Sequence, residues 1–227
     1  MKVLKASTEI IVIYLLQILL LFISSFICRY LFNGVNLDSF IANEFYYIMM
    51  LFNIIVIIYL LIKHYKKEKE IRLNNVISST FMVVSISLIL NMLFYYFNLQ
   101  SNGAPTISIY LMILSSGIIG PIVEELLFRK ILLNRLLNIY SVKKAIIIET
   151  LIFALFHGGV NGFIYAFVIG MLLSIIYVKY KNIKIPIICH MISNSLVLYL
   201  QGFNIYILCL AIVMLIIGGL LVRKNVK

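Results

Sequence analysis

The stretch FYYIMMLFNIIVIIYLLIKHYKKEKEIR, at residues 45–72, shows the pattern that decides the fold of this chain. Its first part, 45–62, carries no charge, and a helix needs about 20 predominantly apolar residues to cross a bilayer. Its second part is a loop rich in lysine. Comparable apolar runs recur near residues 10–28, 76–97, 106–127, 145–157, 160–178, 185–200 and 203–222. We therefore predict an all-α, polytopic bundle of about eight membrane-spanning helices. The fifth and seventh runs are short, so six or seven spans with re-entrant pieces are the alternative.

The composition indicates a membrane protein, because this much apolar surface must be solvated by lipid and not by water. Hydrophobic residues make up 63% of the 227 positions and charged residues 12%, whereas soluble domains are about 45–50% apolar. The net charge of +11 suggests nucleic acid at first. The basic residues, however, lie between apolar runs and form no basic patch with interleaved aromatics. We therefore expect a single transmembrane domain over 1–227. Its partner is expected to be the lipid bilayer, and binding of nucleic acid is not expected.

The basic residues alternate between the two sides of the predicted bundle. The connections around 34–44, 98–105, 158–162 and 200–204 contain no Lys or Arg, and of the nineteen basic residues only Arg29 falls on their side. Because Lys and Arg collect on the cytoplasmic side of membrane proteins, both termini are predicted to be cytoplasmic (N-in/C-in). The residue usage, rich in Ile, Asn and Lys and without Trp, favours a multi-pass protein of a bacterial cell membrane.

Five ionisable side chains are embedded in apolar sequence and are therefore candidates for function, since each costs about 2.5–3.5 kcal/mol to insert. They are Glu124, Glu125, Glu149, His157 and His190. The other acids and the remaining histidine lie at span ends or in loops, where we expect water to solvate them. These are Glu9, Asp38, Glu44, Glu68, Glu70 and His64.

The adjacent glutamates are predicted to have different tasks. Glu125 and Arg129 are four residues apart, which is the spacing of an ion pair within a helix. Glu124 points about 100° away from Glu125 on a helix, so it is left to face a cavity.

The same spacing of four residues relates Phe153 to His157, and His190 to Asn194. A lone His or Asn in a membrane is often only a hydrogen bonder between helices. A carboxylate, two imidazoles and an amide together form a set that packing does not require, and the set suits hydrolysis. The carboxylate would be the general base, and N–H donors would stabilise an oxyanion. No GxSxG elbow is present, which favours direct attack by water over a covalent intermediate.

Taken in order, Glu124-Glu125-x-x-x-Arg129, Phe153-x-x-x-His157 and His190-x-x-x-Asn194 resemble the EExxxR, FxxxH and HxxxN/D motifs of one family. This family is the CAAX prenyl protease and bacteriocin-processing (CPBP, or Abi) intramembrane proteases. The similarity covers roughly 105–200, a CPBP-like catalytic core region. It implies an intramembrane endopeptidase whose partner is a membrane-associated peptide or protein substrate.

The resemblance also implies a role for each motif residue. Glu124 and His157 would activate the attacking water, and His190 and Asn194 would form the oxyanion hole. The supporting residues would be Glu125, Arg129 and Phe153.

Glu149 stands outside the three motifs but shares a helical face with Phe153 and His157. We count it among the supporting residues. Two interpretations are open at this point: Glu149 pairs with a lysine such as Lys144, or it orients His157.

No cofactor is favoured, because a glutamate can activate water without a metal. Zinc is the alternative, with Glu124, His157 and His190 as its ligands, although the HExxH motif is absent.

Two other classes of function compete with proteolysis. A non-proteolytic immunity or scaffold protein would bind a peptide or a partner membrane protein, but it would not need paired water-activating groups. A small transporter would often show internal repeats, and we find no such symmetry in the sequence.

Overall fold

Eight helices make up the part of the chain that the structure describes. A computed structural model describes residues 2–31, 37–64, 68–97, 99, 108–200, 202 and 204–224. In these ranges the helices are α1 Lys2–Leu31, α2 Leu37–Lys63, α3 Leu73–Tyr96, α4 Ile109–Leu137, α5 Val142–Leu155, α6 Gly159–Tyr180, α7 Lys184–Tyr199 and α8 Ile205–Lys224. No strand occurs in them. The predicted all-α polytopic class is confirmed, and each apolar run corresponds to one helix.

Five stretches are long and apolar enough to cross a membrane: Tyr46–Lys63, Leu73–Tyr96, Ile109–Leu137, Gly159–Tyr180 and Ile205–Arg223. In α1 a shorter apolar stretch covers Ser7–Ile23. The two runs expected to be short are short helices, since α5 has 14 residues and α7 has 16. At 1.5 Å per residue they span about 21 and 24 Å, less than the hydrocarbon thickness of about 30 Å.

The fourth helix extends beyond the apolar run that predicted it. The run ends near residue 127, but α4 continues to Leu137 and includes Arg129, Lys130 and Arg135. Of these three residues, Arg129 is fully buried in the bundle. Ion pairing with buried glutamates explains how a charged residue can continue the helix inward.

Two segments of α4 are π-helical, Ile113–Ile119 and Glu125–Leu133. A π-helix bonds residue i to i+5, is rare, and occurs frequently at functional sites. The short α-helical stretch Gly120–Glu124 separates the two segments. Glu124 and Glu125 therefore lie at the junction where the helical winding changes.

The helix α7 lies against α3 and α4, and α5 packs along α6. The largest buried apolar cluster surrounds α4, with Leu127, Phe128 and Leu132 fully enclosed. This packing brings the motif residues of α4, α5 and α7 into one region of the bundle.

Basic side chains collect at one end of the bundle, which we call the basic end. Glu68 accepts bonds there from Lys130, at 3.1 Å, and from the backbone N–H of Ile183, at 2.8 Å. Glu9 is bonded to Arg135 at 2.5 Å, and this ion pair joins α1 to α4.

Three groups that we expected to be simply solvated are in fact paired at the basic end. Glu9 lies 3.0 Å from both Lys63 and His64, and Glu68 is bonded to Lys130. The expectation failed because the partners lie on helices that are distant in sequence. Glu70 is exposed as expected, while the side chains of Asp38 and Glu44 lie outside the described residues.

Reporter fusions after residue 70 and at the C-terminus are expected to read cytoplasmic, and fusions within 34–44 or 98–105 external. The reason is the one-sided distribution of Lys and Arg. At each site, alkaline phosphatase activity reports an external position and fluorescence of a fused fluorescent protein reports a cytoplasmic one. An external C-terminus would contradict an even number of spans with a cytoplasmic start.

Candidate active site

The two adjacent glutamates of α4 lie in different surroundings. Glu125 is fully buried, and its Oε1 lies 3.0 Å from Nη1 of Arg129. Their geometry is that of an ion pair without a well-directed hydrogen bond. The side chain of Glu124 is 25% exposed, and its buried Oε2 makes no hydrogen bond. The predicted Glu125–Arg129 pair is confirmed, and Glu124 keeps an oxygen that can bind another group.

His190 of α7 lies between these two carboxylates. Its Nδ1 is 2.8 Å from Oε1 of Glu125, and its Nε2 is 3.7 Å from Oε2 of Glu124. Because an ionised carboxylate can only accept, Nδ1 donates to Glu125 and the ring orientation is set. Nε2 is then the nitrogen directed toward Glu124.

The guanidinium of Arg129 connects three helices from a fully buried position. Its Nη2 donates to the carbonyl of Gly170 on α6 at 3.1 Å, and its Nε lies 3.6 Å from Oε1 of Glu149 on α5. Its central carbon lies 4.3 Å from the centre of the Phe153 ring, a cation–π contact. We call these residues, together with Glu125, the Arg129 cluster.

Glu149 belongs to this cluster, which is not what either sequence interpretation expected. Its Oε2 accepts hydrogen bonds from the hydroxyl of Ser174 and, at 3.4 Å, from that of Thr150. Lys144 instead places its ammonium over an aromatic ring. Neither the pairing with Lys144 nor a hydrogen bond to His157 forms among the described residues. Glu149 pairs with Arg129 because Arg129 lies closer to it than Lys144 does and is fully buried, whereas Lys144 is exposed.

His157 lies in the turn that follows α5. Its Nδ1 is 3.0 Å from the carbonyl of Phe153, and since a carbonyl only accepts, Nδ1 is the donor and Nε2 is left as an acceptor. The Phe153 ring centre is 4.6 Å from the His157 ring and 6.3 Å from the His190 ring. Phe153 therefore brings both histidines to one aromatic side chain.

The imidazole beside Glu124 belongs to His190. Among the described residues, His157 makes no ion pair with Glu124. The joint activation of water by Glu124 and His157, which the family resemblance implies, stays a prediction.

Asn194 lies one turn after His190 on α7. Its Nδ2 donates to the carbonyl of Ser116, in the first π-helical segment of α4, at 3.3 Å. An amide nitrogen carries two N–H donors, so this contact orients the side chain and leaves a second donor. Its role at an oxyanion also stays a prediction.

Two residues of α6 that the sequence analysis missed complete the surroundings of the cluster. Gly170 offers its carbonyl to Arg129, and Ser174 offers its hydroxyl to Glu149. They are four residues apart, which is the small-xxx-small spacing of closely packed membrane helices. That spacing was the available sequence signal.

Gly170→Ala is expected to destabilise the bundle because an added methyl group has no room. A Cβ at this position would lie 2.7 Å from the Phe153 ring and 3.2 Å from Nη2 of Arg129. Overpacking of this kind costs about 1–3 kcal/mol. Thermal unfolding of the purified protein in detergent measures the loss. The matched control is Gly219→Ala, whose Cβ would meet no atom within 4 Å; equal melting temperatures for the two variants would contradict this packing.

The side chains, as they lie, do not fit the zinc site considered above. Zinc is held by three or four ligands at about 2.0–2.3 Å. Within the described ranges, no group of three or more His, Cys, Asp and Glu side chains is placed to hold a metal ion. Glu124 and His190 are neighbours, but within the described residues no third ligand joins them. We therefore derive no step that passes through zinc.

One family model and two curated proteins match parts of this chain. The family model "Type II CAAX prenyl endopeptidase Rce1-like" matches residues 106–196. The "Putative membrane peptidase YdiL" of Bacillus subtilis (strain 168) is 33% identical over 91 residues, covering 40% of this chain and 37% of the relative. The "Membrane-embedded CAAX protease MroQ" of Staphylococcus aureus (strain USA300) is 35% identical over 94 residues, covering 39% of this chain and 38% of the relative. No solved structure matches.

The aligned part therefore spans less than two fifths of each of these curated relatives. The family-model match, over residues 106–196, contains all three motifs, from Glu124 to Asn194. The matched region lies in α4 to α7 of a multi-pass helical bundle, and the named relatives are bacterial. Residues 106–196 of this integral membrane protein are thus similar to the Rce1-like family, and parts of the chain are similar to two bacterial proteins named as a membrane peptidase and a membrane-embedded CAAX protease.

Proposed function

We propose that this protein is an intramembrane endopeptidase that hydrolyses a peptide bond in a membrane-associated peptide or protein. The observation that carries the proposal is the environment of Glu124. Its side chain is accessible, one carboxylate oxygen has no hydrogen bond, and an oriented imidazole lies 3.7 Å away. A carboxylate in such a place can bind a water molecule and take its proton.

In the proposed reaction, Glu124 accepts a proton as the water oxygen attacks the carbonyl carbon of the scissile bond. The carbonyl oxygen becomes an oxyanion, which needs N–H donors aimed at it. The tetrahedral intermediate then collapses, the C–N bond breaks, and the proton passes from Glu124 to the leaving amine. No covalent enzyme intermediate is required.

His190 and Asn194 are the proposed oxyanion donors because the family resemblance implies that role; His190 lies beside Glu124, and Asn194 lies one turn further along α7. Since Nδ1 of His190 faces Glu125, the donor must be Nε2–H, and the ring then carries protons on both nitrogens. Glu125 thus serves catalysis by holding His190, and Arg129 by holding Glu125.

His157 has a different proposed task. With Nδ1 donating to the Phe153 carbonyl, its Nε2 can accept a hydrogen bond from the attacking water. This role rests on the family resemblance together with the tautomer that the backbone contact selects.

The substrate class is inferred from two facts. The site lies in a bundle whose surface is largely apolar, so a substrate reaches it most directly from the membrane. The relatives are named as a membrane peptidase and a membrane-embedded CAAX protease. Both favour a peptide or protein that is itself attached to the membrane.

Comparative peptidomics tests the proposal. Membranes and culture medium of cells producing the wild type or Glu124→Gln, at equal abundance, are compared for peptide termini that depend on the active chain. We expect a small set of termini that disappears in the variant. Identical termini in both strains, with any phenotype of the wild type retained by Glu124→Gln, would instead identify a non-proteolytic immunity or scaffold protein.

The purified protein is expected to contain no stoichiometric zinc, and strong chelators are expected to leave its peptidase activity unchanged. The reason is that Glu124 can deprotonate water without a metal, and its neighbours form no metal-ligand group. Elemental analysis, with activity assayed before and after chelation, measures both. One zinc per chain, lost and restored together with activity, would refute the metal-free mechanism while preserving the protease assignment.

A further inference from the structure

Two adjoining cavities at the basic end lie outside the candidate active site. One, of about 1080 Å³, opens between α1 and α2 and is mostly apolar, with Leu16 and Ile55 among its lining residues. The other, of about 730 Å³, is polar, and its lining includes His64, Glu68 and Lys69, which follow α2, and the end of α4. Arg135 and Asn138 line both. The cavities therefore adjoin at these two residues, and we call the apolar and polar parts together the amphipathic space.

The polar part carries an excess of positive charge. Its lining includes four Lys or Arg side chains and one acid, Glu68. The four are Lys69, Lys130, Arg135 and Lys181. Glu68 is bonded to Lys130 and Glu9 to Arg135, while Lys69 and Lys181 are exposed residues of the same lining. Such a concave basic surface is complementary to a phosphate group.

The apolar part has the depth of one lipid leaflet. Its lining along α1 runs from Thr8 to Leu16, about 12 Å, and along α2 from Lys63 back to Phe52, about 16 Å, at 1.5 Å per residue. Half of a hydrocarbon core is about 15 Å. The polar end of this cavity is the end that carries the basic residues. An acyl chain inserted from one leaflet would fill it without crossing the bilayer midplane.

We propose that this space is a binding site for an anionic phospholipid of the leaflet at the basic end. The phosphate lies in the polar part, near Lys69 and Lys181, and an acyl chain lies between α1 and α2. The site touches none of Glu124, His157 or His190, so lipid binding and hydrolysis are separate properties of the bundle.

The absence of tryptophan from the chain makes a direct test available. A single fluorophore is introduced by Leu16→Trp in the apolar cavity, or by Ile216→Trp on the exposed face of α8. Each protein is placed in phosphatidylcholine vesicles with increasing fractions of brominated phosphatidylglycerol or brominated phosphatidylcholine. Bromine quenches tryptophan on contact, so the quenching curves give the preference for each lipid at each position.

We expect the Leu16→Trp reporter to prefer phosphatidylglycerol on the order of tenfold, since each nearby Lys or Arg contributes roughly a fivefold attraction to anionic lipid. The Ile216→Trp reporter should show little preference. Adding Lys69→Gln and Lys181→Asn should lower the preference at least fivefold; asparagine suits position 181 because the backbone there has φ +51°. The matched control, Lys143→Gln with Lys184→Gln, removes two exposed lysines elsewhere and should leave the preference unchanged.

Equal quenching by the two lipids at position 16 would overturn the proposal, as would a preference that survives removal of Lys69 and Lys181. If Leu16→Trp does not accumulate in the membrane, Val12→Trp, which lines the same cavity, supplies the reporter. The measurement needs no peptide cleavage. Its failure would leave the proposed protease function untouched, and an inactive protein could still bind the lipid.

Discussion

Replacing Glu124 by Gln is expected to abolish peptide hydrolysis while leaving the amount of protein in the membrane unchanged. Glutamine has the shape of glutamate but cannot accept a proton from water, and loss of a general base typically costs about 10²–10⁴-fold in rate. Stability should change little because Oε2 of Glu124 makes no hydrogen bond and the side chain is accessible. Cleavage of a membrane peptide found by peptidomics, assayed in detergent with quantified protein, measures the effect.

The control for this substitution is Glu70→Gln, which removes an exposed carboxylate outside the candidate site. It should keep full activity and normal abundance. Full activity in Glu124→Gln, with equal abundance of the two proteins, would remove the glutamate mechanism altogether.

The apolar runs predicted the helices well because span length and one-sided charge are properties of contiguous sequence. The same holds for the pair of Glu125 and Arg129, since four residues on a helix decide which side chains meet. The end of α4 was less predictable. Arg129 interrupts the apolar run and therefore resembles the start of a loop, yet Glu149 on α5 and the Gly170 carbonyl on α6 keep it inside the bundle.

Contacts between distant helices account for what the sequence analysis missed. Glu149 meets Arg129 and Ser174 only because α5 and α6 pack beside α4, and no spacing within one helix encodes this. The same reason explains why Glu9 and Glu68 are paired and not merely solvated.

The position of His190 illustrates the limit for the candidate site. Motif order brings Glu124, His157 and His190 into one set, but it does not say which imidazole lies beside which carboxylate. The structure gives His190 two carboxylate neighbours. The two imidazoles are therefore oriented by different groups: His190 by the carboxylate of Glu125, and His157 by the backbone carbonyl of Phe153.

The largest stability effect is expected for Arg129→Leu. This change leaves two carboxylates, Glu125 and Glu149, fully buried without their cation, and breaking a buried ion pair by removing one partner costs about 3–5 kcal/mol. The variant should be strongly depleted from the membrane and should unfold at lower temperature. Arg129→Lys should rescue it only in part, because one ammonium cannot reach Glu125, Glu149 and the Gly170 carbonyl as the planar guanidinium does.

Neutralising the stranded acids separates charge from packing. In the Arg129→Leu background, adding Glu125→Gln and Glu149→Gln removes both unpaired charges, so abundance should recover substantially. Activity should not recover, because Glu125 no longer holds His190 as a charged acceptor. Quantitative immunoblotting of membranes and thermal unfolding in detergent measure the recovery. Two results would contradict this account: normal accumulation of Arg129→Leu, or a triple variant that is no more abundant than the single one. Either result would show that Arg129 does not stabilise the protein by compensating the buried carboxylates.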